Sequence, residues 1–162
     1  MSGPGETPET RAIQPEDLPA LRALLQRVAT FSADEVACAL EIATAAAQPG
    51  NPDYVARCAL AGGALAAFIV YGPTPMTQGT HDLYWIATDP RVRGAGLGAR
   101  LVSEMEGELR AGGARLVRVE TSGTEGYDGT RGFYEARGYL ETARIPGFYR
   151  EGDDLVILTK RL

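Results

Sequence analysis

Apolar residues recur at helical spacing at Leu18, Leu21, Leu24, Leu25 and Val28, and Pro15-Glu16-Asp17 before them supplies a proline and two acids suited to a first turn. A helix is predicted there. Ser32 with Glu35 three residues on forms a capping-box pattern, and Val36, Leu40 and Ile42 through Ala47 continue a second helix until Pro49-Gly50-Asn51-Pro52 stops it. The pattern then changes to short, partly β-branched runs. Tyr54 to Leu60 and Ala64 to Tyr71, separated by Ala61-Gly62-Gly63, read as an antiparallel hairpin. Gly72 to Thr80 reads as a loop, and Leu83 to Thr88 as a third strand. Gly96 to Ala111 carries Leu97, Leu101, Val102, Met105 and Leu109 on one side and ends at Gly112-Gly113, the signature of a long amphipathic helix. Beyond it lie a valine-rich strand, Ala114 to Glu120, helical potential from Gly129 to Arg137, and two closing strands, Tyr139 to Arg144 and Asp154 to Lys160. A short strand at Thr10 to Ile13 opens the series.

The element order is therefore β-α-α-β-β-β-α-β-α-β-β, which specifies an α/β fold, a mixed, mostly antiparallel sheet flanked by helices on both faces. No uninterrupted βαβαβα series exists, so a doubly wound dinucleotide fold is disfavoured. Residues 1–10, rich in Gly, Pro and Glu, are expected to be a flexible tail, and 11–162 a single domain.

Composition narrows the function. The chain has 162 residues, 44% of them hydrophobic, enough for one buried core. No apolar run nears the roughly 18 residues of a membrane span, and the first residues lack the basic start and apolar core of a secretory signal. The expectation is a cytoplasmic protein with no membrane partner. A net charge of -5 argues against nucleic acid as the main partner. Cys38 and Cys58 are expected to be reduced, buried thiols, and His81 is the only histidine, so no Cys/His metal-ligand spacing exists and no metal site is expected. The basic residues include a single lysine, Lys160, while Arg91, Arg93 and Arg100 gather within ten residues.

That arginine cluster surrounds Asp89-Pro90-Arg91-Val92-Arg93-Gly94-Ala95-Gly96-Leu97-Gly98, a turn between a strand and the long helix. Unpaired N–H groups at the positive end of a helix dipole make an anion site, and glycines let phosphate oxygens approach the backbone. The Gly-Lys-Ser/Thr ending of a P-loop is missing, which excludes its nucleotide hydrolysis chemistry. The competing reading is a tight connection with no ligand. The segment resembles the Gln/Arg-x-x-Gly-x-Gly/Ala signature of the GCN5-related N-acetyltransferases (GNAT), matched by Arg91, Gly94 and Gly96. Farther on, Arg131-Gly132-Phe133-Tyr134-Glu135-Ala136-Arg137-Gly138-Tyr139 resembles that family's second signature, a helical Phe-Tyr followed by Gly-Phe/Tyr.

The resemblance implies an acyl-CoA N-acyltransferase fold and a single acetyltransferase domain over 11–162, with acetyl-CoA as cosubstrate. The pantetheine arm would pair with the backbone at Ile86, Ala87 and Thr88. The pyrophosphate would meet backbone N–H groups among Val92, Arg93, Gly94, Ala95, Gly96, Leu97 and Gly98. It also implies direct attack by an amine, from a small molecule or a peptide, with Tyr134 as the general acid to the CoA sulfur. The alternative for Tyr134 is an aromatic packing the helix on the sheet. Glu120, sharing a strand face with Arg118, is the candidate base, against a plain salt-bridged strand end. His81 and Asp82 are weaker candidates. Many relatives carry an asparagine where Tyr127 stands, so the loop Gly123 to Gly129 departs from the pattern and offers Glu125, Tyr127 or Asp128 to an acceptor. Phe148 and Tyr149 are candidate walls of the acceptor site, with Asp153 and Asp154 as a charged turn. Members of the family often form homodimers. The alternative to an enzyme is a non-catalytic acyl-CoA-binding regulatory module that kept the cofactor turn.

Overall fold

The computed structural model of the protein describes residues 7–162. Its elements follow the expected order: β1 (Glu9–Ala12), α1 (Leu18–Arg27), α2 (Ala33–Ala46), β2 (Val55–Ala61), β3 (Ala64–Pro73), β4 (Thr80–Thr88), α3 (Leu97–Ala111), β5 (Leu116–Ser122), α4 (Asp128–Glu135), β6 (Leu140–Arg150) and β7 (Asp153–Arg161). Residues 1–6, most of the expected tail, lie outside the described residues, and Glu9 and Thr10 already belong to β1. The strands form one mixed sheet in the order β1-β2-β3-β4-β5-β7-β6. β4 and β5 run parallel, Thr80 to Leu83 beside Leu116 to Val119, whereas β1 with β2, β2 with β3, β5 with β7 and β6 with β7 are antiparallel. A parallel pair requires a crossover, which α3 supplies.

The chain gathers into two compact units, one comprising the chain up to Gly72 with Tyr84–Glu108, the other Pro73–Leu83 with Leu109–Leu162. In the first, Leu21, Leu24 and Leu25 of α1 and Val36, Ala39, Leu40 and Ala43 of α2 share one buried cluster with Phe68 and Val70 of β3. Side chains alternate along a strand, so Tyr71 points the other way, and its hydroxyl donates to Glu108 Oε2 on α3 at 2.6 Å. Helices thus cover both faces of β3. The capping box of α2 forms as the sequence implies: Glu35 N donates to Ser32 Oγ at 3.2 Å, and Ser32 N to Glu35 Oε2 at 2.7 Å. In the second unit the buried set includes Leu83, Val117, Val119, Tyr134, Tyr139, Leu155, Val156 and Leu158.

Several boundaries move for reasons of pairing. β4 starts at Thr80, three residues before the apolar run, because Thr80 to Asp82 ladder with β5. β5 extends through Ser122, opposite Leu155 of β7. β6 runs to Arg150, well past the expected Arg144. The two cysteines are both free, and Cys58 is buried while Cys38 is exposed, so the expectation of two buried thiols holds for one. Burial pushes the Cys58 thiol up from its ordinary value. Among the described residues no helix is long and apolar enough to cross a membrane, and no cluster of His, Cys, Asp and Glu is arranged for a metal ion.

Candidate active site

The anion-binding turn is built on a buried carboxylate. Asp89 ends β4 with its N–H donating to Ala66 O at 2.8 Å, and its side chain is closed off from solvent, with the residue only 2% exposed. Its oxygens accept from Arg91 N (3.0 Å), from Arg91 Nε (3.1 and 3.2 Å) and Nη2 (2.8 Å), and from Arg27 Nη2 of α1 at 2.6 Å. The two guanidiniums hold the Asp89 carboxyl far below the usual carboxylate range, Arg91 contributing most. Arg91 is therefore occupied by Asp89. The signature's first residue braces the turn and is not aimed at a ligand. Gly94 and Gly96 take positive φ (89° and 73°), and a Cβ at either would meet nothing within 4 Å, so the inner curve of the turn is open to a ligand. Helix α3 then begins at Leu97, its first backbone bond running from Arg100 N to Gly96 O, which leaves the N–H groups of Leu97, Gly98 and Ala99 ahead of the ladder. Arg100 is itself paired, its Nε donating to Glu104 Oε1 at 3.0 Å. This cradle, lined by N–H groups and closed by no side chain, fits a pyrophosphate.

Replacing Asp89 with asparagine is expected to loosen the turn and weaken coenzyme A binding about five- to tenfold, read by calorimetry. Were Arg91 a phosphate ligand, its release by the same change would instead tighten binding. The stability term has a definite pH window. A carboxyl whose folded pKa is depressed stabilises the fold above its unfolded value and loses that contribution as pH falls toward the folded one, so the gap in melting temperature between wild type and Asp89→Asn should narrow below about pH 4.

Tyr134 lies in the last turn of α4, within the second unit, and is 3% exposed. Its ring stands edge-on to Phe133 and to Tyr139, each at 5.4 Å between centroids, and its carbonyl accepts from Arg137 N and Tyr139 N. Burial, helped by the neighbouring Tyr139 phenol, pushes the Tyr134 hydroxyl well above its ordinary pKa. It stays protonated throughout the neutral range. Arg131, one turn earlier, ties α4 to the end of β5: its Nη1 donates to Ser122 O (2.5 Å) and Thr124 O (3.0 Å), and its Nη2 to Asp128. The Gly123 to Gly129 loop is thereby pinned at both ends.

Glu120 is half-exposed on β5 and stands 3.9 Å from Arg118 Nη1, sharing the strand face as alternation implies. Arg118 Nε donates to Asp82 Oδ1 at 2.6 Å, and the buried Asp82 also accepts from Thr74 Oγ1 at 2.7 Å. Two separate base candidates, Asp82 and Glu120, thus share one guanidinium, and Asp82 is committed to internal bonds. His81 Nδ1 is buried without a hydrogen-bond partner in the structure. Asp153 is buried and accepts from Ser122 Oγ at 2.5 Å, and Asp154 accepts from Arg144 Nη1 (3.1 Å) and Gly147 N (3.0 Å), so the charged turn is internally satisfied. Phe148 and Tyr149 are exposed. The cofactor residues expected from the sequence, Ile86 to Thr88 and Val92 to Gly98, fall in the first unit, and Tyr134 and Glu120 in the second. Linear reading missed Arg27 and Arg131, each of which acts on a residue its own helix pattern does not reveal.

The fold and this turn define an acyltransferase of the kind that holds its acyl donor at a helix N-terminus. The profile of the acetyltransferase (GNAT) family matches residues 18–139. Among solved structures, a GNAT-family protein from Desulfovibrio desulfuricans, assigned as an acetyltransferase, is 35% identical with a TM-score of 0.90 over 96% of this chain and 99% of that one. The ribosomal-protein-S18-alanine N-acetyltransferase of Escherichia coli shares the fold at 22% identity (TM-score 0.77; 96% and 94% covered). So does the PaiA N-acetyltransferase of Thermoplasma acidophilum, solved with coenzyme A, at 17% identity (TM-score 0.75; 97% and 100% covered). No curated protein matches the chain. The chain belongs to the GNAT family of acetyltransferases, with acetyl-CoA as cosubstrate.

Proposed function

We propose that this acetyltransferase moves the acetyl group to a primary amine by direct attack, with Tyr134 as the general acid for the departing thiolate. The observation that carries this reading is the buried phenol of Tyr134, kept protonated at neutral pH within a helix matching the family's second signature. Acetyl-CoA supplies the activated thioester carbonyl. The N–H groups between Val92 and Gly98 would hold its pyrophosphate at the open cradle of Gly94 and Gly96, and the β4 backbone from Ile86 to Thr88 its pantetheine arm.

The chain's own groups then manage one proton. The attacking nitrogen must be neutral, and Glu120, half-exposed at its strand, accepts the proton shed by the amine. Tyr134 Oη donates to the sulfur as the C–S bond breaks. A phenol is a weaker acid than a thiol, about 10 against about 8.5, so Tyr134 acts as a hydrogen-bond donor whose proton is replenished from solvent. The proton lost from nitrogen balances the one gained by sulfur.

The amine is of a small molecule or a peptide. A relative of the same fold is named for an alanine of a ribosomal protein, so peptide N-termini belong in the screen beside polyamines, amino acids and antibiotic amines. With acetyl-CoA fixed and amines varied, thiol release is expected only when an amine is present. Acetyl-CoA at about 100 times its Kd is expected to add about 2.7 kcal/mol of stability, a rise of roughly 5–10 °C in Tm. A thermal shift without acceptor-dependent release across the panel would leave cofactor binding standing and sink the amine reading.

A further inference from the structure

β6 is the outermost strand of the sheet, and each of its residues from Leu140 to Arg150 is exposed. Its one strand neighbour among the described residues is β7. A long edge with apolar side chains in water is a template for another chain unless something covers it. Leu140 is 70% exposed and Ile145 45%. The register places these two on one face, since Leu140 stands opposite Thr159 and Ile145 opposite Leu155, four residues apart on β7. Glu141 and Arg144 stand opposite Leu158 and Val156, on the other face. An irregularity at Thr142 lets residues three apart share that side, where Arg144 Nε donates to Glu141 Oε1 at 2.6 Å.

We propose that β6 is a homodimer interface, on which a second copy of this chain lays its own β6 antiparallel about a two-fold axis passing between Thr142 and Ala143. The segment Leu140-Glu141-Thr142-Ala143-Arg144-Ile145 is self-complementary in that register. Leu140 meets Ile145 of the second copy, Glu141 meets Arg144, and Thr142 meets Ala143. The two-fold makes each of these pairs twice. Opposed residues lie on the same face in both copies, so the apolar pairs form on one side and the ion pairs on the other. The neighbouring registers fail: a shift one way sets Leu140 against Arg144, and the other sets Glu141 against Ile145. Pro146 lacks an N–H, which ends the segment and stops the pairing from sliding toward Phe148 and Tyr149. An unrelated peptide would not require the two halves of the segment to match each other, and this match is what selects a second copy. The inference does not depend on the acceptor.

Sedimentation equilibrium on the full chain tests it. The wild type is expected at twice the 17.2 kDa chain mass. Leu140→Lys, Glu141→Arg and Arg144→Glu should each raise the dimer Kd at least about tenfold. Leu140 is so exposed that its replacement leaves folding unaffected, and melting temperatures check the other two. The decisive arm mixes the two charge variants. Glu141→Arg and Arg144→Glu chains each carry like charges at 141 and 144, so repair within one chain is impossible, yet across the axis every charge would meet its opposite. A heterodimer is expected in the mixture. A wild type that stays monomeric up to about 1 mM overturns the proposal. So does a dimer indifferent to all three changes, or charge variants that dissociate the dimer and fail to associate with each other.

Discussion

Tyr134→Phe is expected to lower kcat by about two to three orders of magnitude while leaving coenzyme A affinity within about twofold. The ring remains, so its edge-on contacts with Phe133 and Tyr139 and the burial of α4 are kept, and only the donor is removed. Matched falls in kcat and kcat/KM, with unchanged calorimetric affinity, identify an interaction made in the transition state alone. Because burial raises the phenol above its ordinary value of about 10, wild-type kcat should show no alkaline loss from this group through the neutral and mildly alkaline range. Full activity in the variant would move the proton donation to water or to another side chain and leave Tyr134 a packing residue.

The largest loss of stability is expected from Gly72→Ala. A Cβ there would sit 1.9 Å from the carbonyl oxygen of Asp53, and 3.0 Å from its carbon. No side chain can turn aside to relieve this contact, because the obstacle is backbone on the segment leading into β2. The chain must shift β3 against that segment, at a cost of at least about 3 kcal/mol, or a fall of roughly 6–12 °C in Tm. Thermal unfolding followed by circular dichroism reads the effect directly. A fall of less than about 2 °C would mean that the Asp53 peptide yields freely.

Much of the fold was legible along the chain because its signals are local. Helical spacing at Leu18 to Val28 and at Leu97 to Leu109, the Ser32–Glu35 box, and the glycine punctuation between strands each depend on residues within a turn or two of one another. The anion-binding turn was legible for the same reason, since a strand, two glycines and a helix start are contiguous. Strand ends were not. Thr80 to Asp82 look like loop by composition and become strand because Leu116 to Arg118 lie beside them, and Pro146-Gly147 gave no sign that β6 would continue to Arg150.

The candidate site divides along the same line. Tyr134, Glu120 and the residues from Val92 to Gly98 could be picked out in order, as types of chemistry at stated spacings. What those groups are free to do was decided in three dimensions. Arg91 stands two residues from Asp89 in the chain, yet its occupation as a brace depends on Arg27, 62 residues away from Asp89, arriving to help bury that carboxylate. Asp82 and Glu120 read as independent bases until parallel pairing of β4 with β5 set both on Arg118. Tyr134 was a phenol of ordinary acidity in the sequence, and its protonation became secure only with burial, a property no neighbour in the chain confers. Local spacing determines which groups are present and in what order, because helices and turns are short-range structures. Charge pairing, burial and strand register come from residues far apart in sequence, and only the folded chain brings them together.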